Sequence, residues 1–305
     1  GPRPDPLPIE RRRIHLLMRP AHLLVLALPW MLACDPSPAQ LPHLAAASVT
    51  TTPIDTGRTI GARFAPPAGF VRVPVAAGSF GAYLRALPLK PAGSPVHLFN
   101  GELKGRQDVH AAVVDLSVGT SDLQQCADAV MRLRAEHLYA QQAFDRITFH
   151  FTNGFEAGFQ RWAKGDRIKV NGNRADWKLR EMPVSFTHEN LLSYLKIVFT
   201  YAGSLSLQKE LDKSTPPDLG ATDLQPGDVF IRSGSPGHAM IVVDAAHHPD
   251  GRTAFLLAQS YMPAQEIHVV RNPDNPELGA WFMLNDGSEL RTPEWTFRWS
   301  DRRRW

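Results

Sequence analysis

Cys126 lies in the stretch TSDLQQCADAVMRLRAEHLYAQQ, residues 120–142. A thiol is a weak nucleophile until it becomes a thiolate, and a neighbouring imidazole and a helix N-terminus both favour that charge. An imidazole acting as base needs in turn a polar group on its other nitrogen to hold its orientation. A nucleophilic Cys126 therefore requires a histidine and a third polar residue delivered by the fold. The one other cysteine is Cys34, at the end of MRPAHLLVLALPWMLAC, residues 18–34. That run has an Arg followed by an apolar core, the layout of an export signal. It is too short for a membrane-spanning helix, which needs roughly 20 apolar residues. An exported chain whose remaining cysteine has no partner keeps a free thiol worth examining. Taken alone, a cysteine on an apolar helix is most often a small buried hydrophobe.

The elements that must position these groups follow from composition and periodicity. With 43% hydrophobic and 21% charged residues, the chain has an ordinary globular composition. The formal charge of +3 is misleading, because residues 1–33 hold five Arg against one Asp and one Glu, and 28 residues of each sign remain. Without a basic face, a nucleic-acid partner is not expected. Residues 1–34 read as an upstream segment and signal, and residues 35–60, rich in Pro and Ala, as a flexible tether. Residues 61–305 read as one α+β domain. Strands are expected at 69–75, 110–118 and 146–153, with helices at 79–89, 121–142 and 187–203. Ser121 or Asp122 is expected to cap the Cys126 helix and Thr187 the later one. Residues 155–185 read as an irregular insertion, where Trp162 suits contact with a sugar or peptide. The tail is β, with runs GDVFIR, GHAMIVVDA, RTAFLLAQSY and QEIHVVR. The AAHHPDGR loop between two of these runs centres near Pro249–Asp250, so His238 faces residues 260–262 and lies near Gln259 and Tyr261.

The stretch LQPGDVFIRSGSPGHAMIVVDA, residues 224–245, resembles the papain-like cysteine peptidases and amidases of bacterial cell walls, of NlpC and CHAP type. In those families a strand opening with GD precedes one that starts with the catalytic His, and both follow a helix carrying the nucleophilic Cys. QQCADAVMRLR is similar to that helix. The resemblance implies a papain-like α+β fold with the Cys126 helix packed on a C-terminal antiparallel sheet. It implies Cys126 as nucleophile, His238 as base and then acid, and Gln259 as the group orienting His238. Gln125 or the backbone N–H of Cys126 would stabilise the oxyanion. Over the body, about residues 65–300, the phrases QCADAVMRLRAE, GDVFIRSGSPGHAMIVVD and LLAQSYMPAQEIH resemble domain-of-unknown-function family 4846, which implies no activity. MLAC resembles a bacterial lipobox and implies lipidation of Cys34.

Other chemistry finds little support. His150, His188, Asp244, His247 and His248 are candidate ligands, but no HExxH or CxxC spacing joins them, so no metal site is expected. No GxSxG elbow, P-loop or GxGxxG is present, and no cofactor is expected. The expected function is cysteine-dependent amide hydrolysis in the bacterial envelope, with peptidoglycan peptides as substrate and a lipid anchor to the membrane. The alternative is a non-catalytic envelope lipoprotein that binds a glycan or peptide.

Overall fold

The computed structural model describes residues 57–216, 219, 223–284 and 289–305. Its centre is one eight-stranded antiparallel sheet. The strands are β1 (Val71–Arg72), β2 (His110–Val113), β3 (Val229–Arg232), β4 (His238–His247), β5 (Thr253–Gln259), β6 (His268–Val270), β7 (Phe282–Met283) and β8 (Arg302–Arg303). The order is β8–β3–β4–β5–β6–β2, with β1 pairing along the far end of β4 and β7 along β5. The long strands β4 and β5 are near-continuous apolar runs because both faces of the sheet are covered.

Alternation along the strands divides the core in two. Val229 and Ile231, Ala239 and Ile241, and Leu256 and Ala258 face one side. There they pack with α1 (Cys126–Ala140), α2 (His188–Tyr201) and α3 (Ser204–Ser214) through Val130, Leu133, Leu195 and Leu207. Phe230, Met240, Val242, Phe255 and Leu257 face the other side, against Leu290 and Phe297 of a hairpin formed by Glu289–Arg291 and Thr296–Arg298. A bulge between Val242 and Asp244 puts an extra residue into β4. Asp244, fully buried, holds the Nε of Arg72 at 2.7 Å and that of Arg85 at 2.5 Å, tying β1 and the short helix Phe80–Arg85 to the sheet.

The papain-like α+β arrangement expected from the sequence is overturned. The chain is mainly antiparallel β, an eight-stranded sheet with few helices. The physical reason is that the sheet is apolar on both faces, and one of them is covered by a β-hairpin instead of by helices. Two local expectations also change. The Cys126 helix does not start at Asp122: Gln125 is its N-cap and Cys126 its first residue. Most of residues 155–185 is regular rather than irregular, with a strand Glu156–Gly158, a helix Phe159–Ala163 and a hairpin of Arg167–Asn171 with Arg174–Lys178, while residues 179–185 carry no helix or strand. Gly172 adopts φ +58° in the hairpin turn, where the Asn-Gly-Asn triplet supplies a turn signal for two short flanking strands. The later helix starts as expected, with Thr187 Oγ1 accepting the N–H of Asn190 at 3.3 Å. Among the described residues, no helix is long and apolar enough to cross a membrane.

The hairpin covering the second face is therefore part of the core. Phe297→Ala should lower stability by about 3–5 kcal/mol in denaturant unfolding, the range for emptying a buried aromatic site. A loss below about 1 kcal/mol would mean the sheet does not depend on this cover.

Candidate active site

Gln125 and Cys126 open α1 because the chain is tied down on both sides of them. Ser260 Oγ donates to the carbonyl of Gln124 at 2.9 Å, and the N–H of Ala264 donates to Asp122 Oδ1 at 2.7 Å. The N–H of Gln125 donates to Asp128 Oδ2 at 3.1 Å, and its Nε2 donates to Asp122 Oδ1 at 3.1 Å. Cys126 thus sits in the first turn, where backbone N–H groups have no intrahelical acceptor. It is 9% exposed and lines a cleft of about 290 Å³ between α1, the start of α3 and the Gly234–Gly237 loop. The backbone N–H of Ala239, the residue after His238, faces the sulfur.

Burial nevertheless dominates the thiol. It pushes the Cys126 pKa up, the Ala239 N–H pulls it down, and Asp128 pushes it up again. The thiol at rest is therefore protonated at neutral pH. Asp128 is itself pushed up to about 8 by burial, against the N–H groups of the helix start.

His238 begins β4, opposite Arg232 of β3, and is 1% exposed. Its ring lies on the hairpin side, with centroids 4.9 Å from Tyr261, 5.5 Å from Trp295 and 5.9 Å from Phe297. Nε2 meets Gln259 Oε1 at 2.7 Å. Gln259 Nε2 donates to Glu294 Oε2 at 2.7 Å and approaches His268 Nε2 at 3.3 Å. Glu294 Oε1 in turn accepts from Lys104 Nζ at 2.7 Å, with both side chains less than a tenth exposed. His268 Nδ1 lies 2.9 Å from the carbonyl of Glu266 and donates to it, so His268 Nε2 is the acceptor.

This chain of bonds assigns protons. Both Gln259 donors are committed, so its oxygen must face His238, and His238 Nε2 must carry the hydrogen. His238 Nδ1 is then the unprotonated nitrogen. Burial, aided by Lys104, pulls the His238 pKa down to about 4 although Gln259 opposes the shift. Burial pulls His268 down to about 3. Both rings are neutral at neutral pH.

The structure brings only some of the sequence candidates together. Cys126 and Gln125 line the cleft, and Gln259 and Tyr261 contact His238. The sulfur reaches the strand at Ala239, one residue from His238, and no hydrogen bond joins thiol and imidazole among the described residues. Trp162 is elsewhere: buried at 6% exposure, its Nε1 donates to Asn190 Oδ1 at 2.8 Å and Arg167 stacks on its ring. Cys34 lies outside the described residues. The candidate metal ligands are dispersed among separate partners: His150 on Glu210, His188 on Glu136 and His248 on Asp250. Among the described residues no three His, Cys, Asp or Glu side chains could hold a metal ion. Sequence reasoning missed Lys104, Glu294, His268 and Trp295.

These features define a mainly antiparallel β protein with a buried neutral histidine and an open thiol cleft at the same strand end. Residues 60–304 match the model of the family described as Domain of unknown function (4846), and the chain belongs to that family. No curated protein and no solved structure matches it.

The three buried groups set a pH dependence of stability. His238 and His268 have folded pKa values of about 4 and 3, below the unfolded value of about 6.5, so the unfolded chain binds more protons as pH falls below 6.5. Their contribution is present above about 6.5 and lost on acidification. Asp128, raised to about 8, does the reverse: its contribution is lost as pH rises from about 4 through 8. Two histidines outweigh one Asp below about 6.5, and Asp128 acts alone above it. Stability from these groups should peak near pH 6.5 in denaturant titrations. Asp128→Asn should flatten the limb between about 6.5 and 8, and an unchanged limb would show that Asp128 is ionised in the folded state.

Proposed function

We propose that this chain is a cysteine-dependent amide hydrolase of the bacterial envelope, acting on peptidoglycan peptides. The observation that carries the reading is the fixed tautomer of His238. Gln259 holds Nε2–H, leaving Nδ1 free to take a proton at the strand end that the Cys126 thiol reaches. Catalytic hydrogen bonds are often loose in unliganded sites and tighten around substrate. In the proposed step, Nδ1 takes the thiol proton as Sγ attacks the carbonyl carbon. The oxyanion is met by the free N–H groups of the first turn of α1. The imidazolium returns its proton to the leaving amine, and water then releases the acyl group from sulfur. The resting neutral pair supports proton transfer within the reaction rather than a preformed thiolate.

The substrate class and the envelope location rest on the sequence resemblances around Cys126, His238 and Cys34. The rival reading, a glycan- or peptide-binding lipoprotein using the same cleft, is favoured by the raised thiol pKa.

Full-length protein incubated with peptidoglycan fragments should release amide-cleavage products detectable by mass spectrometry. Cys126→Ala and His238→Ala should each lower the rate by at least about a hundredfold. The wild-type rate should fall at low pH as His238 protonates near pH 4, instead of near the ordinary histidine value. Binding without turnover, unchanged in Cys126→Ala, would replace the hydrolase with the binding module.

Cys34→Ala should release the protein from the membrane fraction of cells or block its processing. Unchanged fractionation together with unchanged processing would remove the anchor.

A further inference from the structure

The charge of the cleft points to what enters it. Its lining contains two carboxyl side chains, Asp122 and Asp128, and no Lys or Arg among the described residues. Asp122 is exposed, and its Oδ1 is held by the N–H of Ala264 and by Gln125 Nε2, while Oδ2 accepts no hydrogen bond from the described residues. One oxygen is thus a fixed anchor and the other is left for a ligand. Asp128 is 6% exposed, and its Oδ1 has no hydrogen-bond partner among the described residues. The opposite wall is the Gly234–Gly237 loop with Gly203 and Ser204, small residues that bring no countercharge. Anions would meet an uncompensated carboxylate here, whereas a cation would satisfy it.

We propose that the Cys126 cleft takes a substrate with a primary ammonium group close to its scissile amide, recognised by the carboxylate of Asp122. An α-amine at a peptide N-terminus and the side-chain amine of a diamino acid both supply this chemistry. The inference deepens the hydrolase reading, on which it rests, by naming what the substrate must carry. It is built on the free oxygen of Asp122, the unpartnered Oδ1 of Asp128 and a lining without basic side chains.

The test works without an identified substrate. In the full chain carrying Cys34→Ala, Cys126 is the one remaining thiol. Its modification rate is measured at low ionic strength with two methanethiosulfonates of similar size, one cationic and one anionic. The cationic reagent should react several-fold faster, the preference should collapse in Asp122→Asn, and it should persist in Asp122→Glu. Equal rates, a faster anionic reagent, or no modification by either would overturn the proposal. Alanine amide with a free α-amine and Nα-acetyl-lysine amide are then added as protectants. Slowing of the cationic reagent by the first assigns an α-amine and by the second a side-chain amine, and slowing by neither overturns the proposal. Hydrolysis that requires Cys126 and His238 without a charge preference removes the ammonium and keeps the hydrolase. A charge preference without hydrolysis keeps a cation-binding cleft and removes the hydrolase.

Discussion

The period of two along β4 is the constraint on which the rest of the site depends. Ala239 faces the helices and His238 faces the hairpin, because neighbouring side chains of a strand point to opposite sides of the sheet. A slip of one residue would bury the imidazole against α1 and turn Ala239 toward Trp295. The bulge between Val242 and Asp244 lies further along the strand, so it redirects Asp244 toward Arg72 and Arg85 without disturbing the first residues. The thiol thus approaches the strand end from one side while the imidazole is held from the other, and the thiol cleft is lined on the strand side by Gly234–Gly237, up to the residue before His238.

Holding a neutral imidazole there demands a complete set of partners. A buried polar group without a hydrogen bond loses on the order of 1–3 kcal/mol. The His238–Gln259–Glu294–Lys104 series ends in an ion pair less than a tenth exposed on either side, and every hydrogen of the Gln259 amide has an acceptor. A buried ion pair is weak evidence for stability, since desolvation offsets the attraction, but it fixes geometry. Here it leaves Gln259 a single orientation and so gives His238 one tautomer. Trp295 and Phe297 close the ring off from water, which is why burial outweighs the Gln259 bond and pulls the pKa down.

What the sequence disclosed and what it hid follow from the range of the interactions. The β4–β5 hairpin is legible because two apolar runs flank a turn, and counting from Pro249–Asp250 sets residues 260–262 opposite His238. The observed pairing of Ile241 with Ala258, continued outward, puts Tyr261 there. The cap of α2 is legible from Thr187. The start of α1 is not, because Asp122 is a good capping residue by type yet is bound instead by Ala264, 142 positions away. Glu294 and Lys104 carry no local signal at all, being 190 positions apart, and the hairpin that holds Glu294 joins the core only through the second face of the sheet. The overall architecture is hidden for the same reason: a strand run shows that it is buried, but not whether helices or strands cover it.

The two acids at the thiol complete the logic of the site. Asp128 accepts the N–H of the N-cap residue at the start of α1, and burial raises its pKa. Burial of the thiol is likewise the largest cause of the raised Cys126 pKa, to which Asp128 adds once it is ionised. A helix N-terminus alone would favour a thiolate, yet desolvation dominates here, so the thiol is held in its protonated form until something changes its surroundings. A cation bound beside Asp122 would do that, since a positive charge near the sulfur favours the thiolate. Occupation of the cleft and activation of the thiol would then be one electrostatic event. An empty cleft would keep the thiol protonated and the imidazole neutral, without reaction.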